Sequence, residues 1–284
     1  MKIGFNLLLW TTHVEDAHMP IIEALKRTGY DGIEVPIFRE APEYYAALGR
    51  RLDDLGLGRT CVSVIPSVDL NPIGSREQAQ KGIDYVRHVL DCAAALSAQL
   101  VCGPLHSTLG HFSGAGPTAE EKQRGIDFHH AVGDHAQAVN VPIVLEALNR
   151  FECYFLNTMA DSAAYLDQVD HPFIQGMYDT FHANIEEKEL VGAIPRFSRH
   201  ISHVHISEND RGTPGRGHID FTAIFDVLKR VGYDRWLTIE AFGRGLPELA
   251  AATKVWRDFF PNPQQVYEEG FALIRDGWAK ARAW

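Results

Sequence analysis

The chain has 284 residues, 45% of them hydrophobic, and a formal net charge of -10. That length holds one large core, and no run approaches the ~18 apolar residues of a membrane span. The acidity is spread along the chain, which favours solubility and excludes nucleic acid as a partner, because an acidic surface gains little from counterion release.

The N-terminus, MKIGFNLLLWTTHVED, has a single Lys and no small-residue cleavage site, so it reads as a first strand and not as a signal peptide. Strand-like runs then recur at 2–9, 32–37, 60–65, 98–104, 141–148, 173–180, 201–207 and 236–242. Amphipathic stretches such as MPIIEALKRTGY and FTAIFDVLKRVGY separate them, and Gly29, Gly56 and Gly232 stand where helices would end. Eight β-then-α units at roughly 30–40 residue spacing predict a parallel sheet with crossover helices. At this length they close most simply into one (β/α)8 TIM barrel domain spanning 1–284. The alternative, an open doubly wound sheet, would show a Gly-rich turn after strand one, and Leu7-Leu8-Leu9-Trp10-Thr11-Thr12 is not one. The segment from Asn262 to Trp284, with Tyr267, Phe271 and Trp278, predicts an additional C-terminal helix packed on the barrel or on a partner. Cys61, Cys92, Cys102 and Cys153 form no CxxC pair, so buried free thiols in a reducing, cytoplasmic compartment are expected.

Barrel chemistry sits at the C-terminal ends of the strands. Strand five ends in Glu146, strand six in Asp179, strand seven in His205 and strand eight in Glu240. Three converging carboxylates would repel one another without a cation. With one imidazole they form a mostly oxygen site for Mn²⁺, Co²⁺ or Mg²⁺, with Zn²⁺ a possible occupant. His203 lies two residues from His205 on the same face and one layer deeper, which suits an interior hydrogen-bonded residue. His106 also falls near the mouth. The carboxylates of MYDTFHANIEEKE divide: Asn184 reads as an N-cap with Glu187 as its capping-box partner. That puts Glu186, Glu187 and Glu189 in the first turns of a helix, and leaves Asp179 and His182 as the functional candidates.

The segments VLEALNRFE, YDTFHANIEE, HVHISENDRGTPGRGHIDF and TIEAF, taken in series, resemble the D-tagatose 3-epimerase / D-psicose (allulose) 3-epimerase family of sugar isomerase/epimerase TIM barrels. The resemblance covers strands five to eight; NLLLWTTH and GPLHSTLGHFSG in the first half match less closely. It implies a divalent metal held by Glu146, Asp179, His205 and Glu240, with Glu146 and Glu240 as the acid/base pair. It also implies substrate contacts by Glu152, His182 and Arg211, and a free ketose substrate epimerised at C3 through an enediolate.

A homodimer or homotetramer is the expected assembly. Glu152 is a candidate for tuning Glu146 from behind, and the Gly- and Pro-rich loop 208–218 is a candidate cover for the sugar. Arg211 and the Gly243-Arg244-Gly245 turn stand where barrels often bind phosphate. The competing readings are an endonuclease IV-like barrel, aldose–ketose or keto-inositol isomerases, a keto-glycoside epimerase, and a non-catalytic sugar-binding barrel. The first is disfavoured because strands two and three show no ligand-like His at their ends. Retention of every candidate ligand disfavours the last.

Overall fold

The computed structural model describes residues 1–282, so Trp284 lies outside the described residues. The strands are β1 (Lys2–Asn6), β2 (Gly32–Pro36), β3 (Gly58–Val62), β4 (Val101–Gly103), β5 (Ile143–Leu145), β6 (Ile174–Asp179), β7 (Ile201–Ile206) and β8 (Trp236–Ile239). They pair in parallel in chain order, and β8 returns to β1, closing the expected barrel. Most strands stop short of their apolar runs. The predicted 2–9 ends at Asn6, whose side chain accepts the Leu8 N–H and opens a 3₁₀ turn over Leu7–Leu9.

The helices are α1 (Met19–Thr28), α2 (Pro42–Asp54), α3 (Arg76–Ala95), α4 (Ala119–Val139), α5 (Met159–Val169), α6 (Thr180–Glu186), α7 (Leu190–Phe197), α8 (Phe221–Arg230), α9 (Pro247–Ala252) and α10 (Pro263–Lys280). Reciprocal capping boxes start α3 (Ser75, Gln78), α4 (Thr118, Glu121) and α5 (Thr158, Asp161), satisfying N–H groups that have no partner within the helix. Gly29 ends α1 at φ 118, a left-handed conformation that glycine adopts freely. A Cβ there would sit 2.6 Å from the Phe271 ring, so the residue also lets α10 approach. Helix α10 lies against α1, α8, β1 and β8 and takes the eighth place in the outer ring. The Tyr30 hydroxyl donates to the Tyr267 carbonyl (2.7 Å), and the Tyr30 and Phe271 rings meet at 5.1 Å.

One local expectation fails. Asn184 does not cap a helix. β6 runs into α6 without a loop, and Asp179 is the N-cap, its Oδ1 accepting the His182 N–H at 2.9 Å. Two of the three glutamates are held by other structural contacts. Glu186 pairs with Arg150 (2.9 Å), Glu187 accepts the Met159 N–H at the start of α5 (2.7 Å), and Glu189 precedes α7 without a side-chain cap bond.

Outward strand residues such as Phe5, Ile33, Val35, Val101, Ile143, Val204 and Leu237 pack against the helices in the main core. A smaller cluster that includes Leu8, Val62, Cys102, Val144, Met177 and Phe242 packs separately. All four cysteines are free and buried. Among the described residues, no helix is long and apolar enough to cross a membrane.

Candidate active site

A cavity of ≈ 620 Å³ is lined by Glu146, Glu152, His182, Arg211 and Glu240, and by an apolar wall that includes Leu8, Phe38, Val62, Val64, Leu109 and Leu249. Beside it the structure brings the four expected ligands together: one polar atom from each of Glu146, Asp179, His205 and Glu240 lies within 4.8 Å of the other three. His205 Nδ1 stands 3.4 Å from Glu240 Oε1, 3.6 Å from Asp179 Oδ2 and 3.8 Å from Glu146 Oε1.

Local backbone events aim these groups. The Glu146 N–H donates to Gly103 O at the end of β4. Gly103 has φ 127 and lies so close to β3 that a Cβ would sit 2.1 Å from Ser63 O. A register shift at Gly176/Met177 re-aims the end of β6 before Asp179. His106, also near the mouth, holds Glu146 from behind, its Nε2 2.8 Å from the Glu146 carbonyl. Burial lowers its pKa to about 4, so it is a neutral buttress.

Buried polar atoms are almost always partnered. Here Glu146 Oε1, Asp179 Oδ2 and His205 Nδ1 are buried without a hydrogen-bond partner among the described residues, and all three face one point. Two carboxylate oxygens and an imidazole nitrogen left this way fit a hard or borderline divalent cation. Protonation follows the same crowding. Burial, then the neighbouring Glu240 carboxylate, pushes the Glu146 carboxyl well up. Burial works against charge on Asp179 too, but His182 and Arg211 outweigh it and hold that carboxyl low. His205 is likewise desolvated, yet Glu34 and Glu240 raise its pKa well above the ordinary value.

The expected substrate contacts line the same cavity. Arg211, at φ 67, sends Nη1 to Glu240 Oε2 (2.6 Å) and Ser207 Oγ (3.1 Å), with Nη2 2.8 Å from His182 Nε2. Its guanidinium lies over the Phe181 ring at 3.9 Å. His182 Nε2 is 3.6 Å from Glu146 Oε1, and burial, then Arg211, lower its pKa to about 3. Glu152 meets His182 Nδ1 at 3.7 Å and accepts from Asn149 Nδ2 at 3.2 Å, so its contacts are with that pair. Burial raises its carboxyl.

The loop 208–218 is pinned from within. The buried Glu208 carboxylate accepts the N–H groups of Asn209, Gly215 and Ile219. The cavity rim includes Glu248, Leu249, Thr253 and Lys254, from α9 and just beyond it. Arg244 is occupied by Asp258 in a two-pronged pair (2.8 and 2.7 Å).

Sequence reasoning missed two residues. Asn6 and Glu34, from β1 and β2, are buried inside the barrel, and Asn6 Nδ2 donates to both Glu34 Oε1 (3.1 Å) and Glu240 Oε1 (3.0 Å). The available signal was a lone carboxylate in the apolar run GIEVPI, where a buried strand tolerates charge only if it is paired. His203 lies deeper, as expected, with Nε2 2.9 Å from Glu34 Oε2.

Residues 22–277 match the family model described as xylose isomerase-like TIM barrel. The L-ribulose 3-epimerase of Mesorhizobium japonicum is 30% identical over 284 residues, spanning 99% of this chain and 95% of its own. A solved L-ribulose 3-epimerase structure matches with a TM-score of 0.92 at 29% identity, over 98% of this chain and 94% of its own. A D-psicose 3-epimerase from Clostridium cellulolyticum H10, solved with D-tagatose, matches with a TM-score of 0.89 at 27% identity, over 99% and 100%.

Proposed function

The chain belongs to the xylose isomerase-like TIM-barrel family and stands within it among the ketose 3-epimerases; from this premise we propose that it interconverts C3 epimers of a free ketose, of the tagatose/sorbose or fructose/psicose type, with one divalent metal, Mn²⁺ for preference. The observation that carries the metal is the convergence of Glu146 Oε1, Asp179 Oδ2 and His205 Nδ1, buried and without hydrogen-bond partners among the described residues. Glu146, Asp179, His205 and Glu240 would hold it, and when bound it supplies Lewis-acid polarisation of the substrate's carbonyl.

The protein's own groups carry the proton. Inverting a stereocentre needs removal on one face and delivery on the other, and Glu146 and Glu240 come from different strands, β5 and β8. One carboxylate takes the C3 proton, the other, carrying a proton, gives it to the opposite face, and the reverse reaction exchanges their roles. His182 and Arg211 are placed to hold a sugar oxygen as negative charge develops. Arg211 and Arg244 already have carboxylate partners, which favours an unphosphorylated sugar.

The test is turnover of free ketoses in D₂O. Deuterium should appear at C3 and at no other carbon, chelation should abolish it, and Mn²⁺ should restore it. Label at C1 or C2 would instead identify an aldose–ketose isomerase, and metal-free turnover would remove the cation from the reaction.

A further inference from the structure

We propose that Glu34 is a positioning residue for cation binding. It accepts the proton on His205 Nε2 and so leaves His205 Nδ1 free to face Glu146, Asp179 and Glu240. The proposal rests on the reading of His205 as a metal ligand.

Glu34 sits in the middle of β2 and is 0% exposed. It is not among the residues lining the cavity, so it does not reach a substrate and acts through its neighbours. A buried carboxylate is costly unless its oxygens are satisfied, and this one is saturated. Oε1 accepts from His205 Nε2 at 2.8 Å and from Asn6 Nδ2 at 3.1 Å. Oε2 accepts from Thr60 Oγ1 at 2.8 Å and from the Cys102 thiol at 3.2 Å, with His203 Nε2 at 2.9 Å. Strand register builds the arrangement, since Asn6 pairs with Glu34 across β1–β2, and Glu34 with Thr60 across β2–β3.

An imidazole that binds a cation through Nδ1 must keep its proton on Nε2. A carboxylate acceptor at Nε2 selects that tautomer, fixes the ring plane and makes the ring a better donor. Asn6 extends the control. Its Oδ1 accepts the Leu8 N–H at 2.9 Å, which forces the amide N–H₂ toward the carboxylates. That group then bridges Glu34 to Glu240, so the orienting residue and a second ligand share one donor.

Glu34, Cys102, His203 and His205 also bring polar atoms within 4.8 Å of one another, which could describe a second cation site. Internal bonds already fill both Glu34 oxygens and engage His205 Nε2. The upper group differs in its oxygens: Glu146 Oε1 and Asp179 Oδ2 have no partner among the described residues, whereas in the lower cluster only the His203 nitrogens lack one and both carboxylate oxygens are filled, so the lower cluster reads as its support.

The experiment compares Mn²⁺ binding by calorimetry in chelator-stripped wild type, Glu34→Gln and Glu34→Asp. The Gln variant should bind about 10–100-fold more weakly. Asp, which keeps the charge, should recover part of the loss. In parallel, ¹⁵N imidazole spectra of the Mg²⁺-saturated wild type should place the His205 proton on Nε2. Glu34→Gln that folds and binds Mn²⁺ like wild type, or a wild-type proton on Nδ1, overturns the proposal; the second reading needs no variant to fold. A wild type that binds no Mn²⁺ overturns the metal reading and this proposal with it. Binding by wild type and variant alike overturns this proposal alone.

Discussion

Arg211→Ala removes a cation that faces two carboxylates and an imidazole at once. Arg211 is 4% exposed, and its guanidinium lies 2.6 Å from Glu240 Oε2 and 3.6 Å from Asp179 Oδ2. Its other nitrogen is 2.8 Å from His182 Nε2. Alanine at φ 67 carries the same backbone penalty as arginine, so the variant reports on the side chain. Removing one partner of a buried ion pair costs about 3–5 kcal/mol, because a carboxylate is left without its counter-charge. At about 2–3 °C per kcal/mol for a long chain, the chelated variant should melt roughly 6–15 °C below chelated wild type. Saturating Mn²⁺ supplies positive charge to the same carboxylates, so the gap should narrow by at least half. If Arg211 also holds the sugar, kcat/KM at saturating Mn²⁺ should fall ~100-fold, the equivalent of about 2.7 kcal/mol for a charged hydrogen bond. Thermal melts with and without chelator, with steady-state kinetics, measure both effects. A gap of equal size in both conditions refutes the electrostatic argument, and unchanged kinetics makes Arg211 a structural residue only.

Glu146→Gln and Glu240→Gln should each lower turnover at least ~100-fold at saturating Mn²⁺. They should differ in stability: urea unfolding of the chelated proteins should show Glu146→Gln near wild type, because burial already pushes that carboxyl toward its neutral form, and Glu240→Gln weaker, because it spoils the Arg211 pair. A third expectation concerns acid. Burial lowers the pKa of His129 to about 3, against 6.5 in the unfolded chain. The unfolded chain therefore binds a proton that the folded chain refuses, and stability falls as pH drops below 6.5 toward 3. His129→Gln should flatten that slope by about 1.4 kcal/mol per pH unit in urea titrations between pH 5.5 and 4, where the unfolded ring is protonated and the folded ring is not; parallel slopes would show that the ring is charged in the folded state.

The eight strands, their order and the four residues at the ends of β5 to β8 were all legible in the linear chain, because β/α alternation is a local signal and barrel geometry places strand ends at one mouth. Glu146, Asp179, His205 and Glu240 could be found by asking which polar residue terminates each apolar run. The capping of α6 was not legible, although it too is local. A capping-box pattern at Asn184 competes with Asp179, and in the structure β6 runs on to Asp179, paired with His205, so that the helix begins at Thr180. The layer beneath the site was further out of reach. Glu34 meets His205 across 171 positions and Asn6 meets Glu240 across 234, distances over which no periodicity carries information. Read along the chain, Glu34 is one acid in GIEVPI. It becomes the hub of the site because closing β8 onto β1 encloses that face of β2 with a histidine, an asparagine, a threonine and a thiol, and a carboxylate held there is stable only with such donors around it.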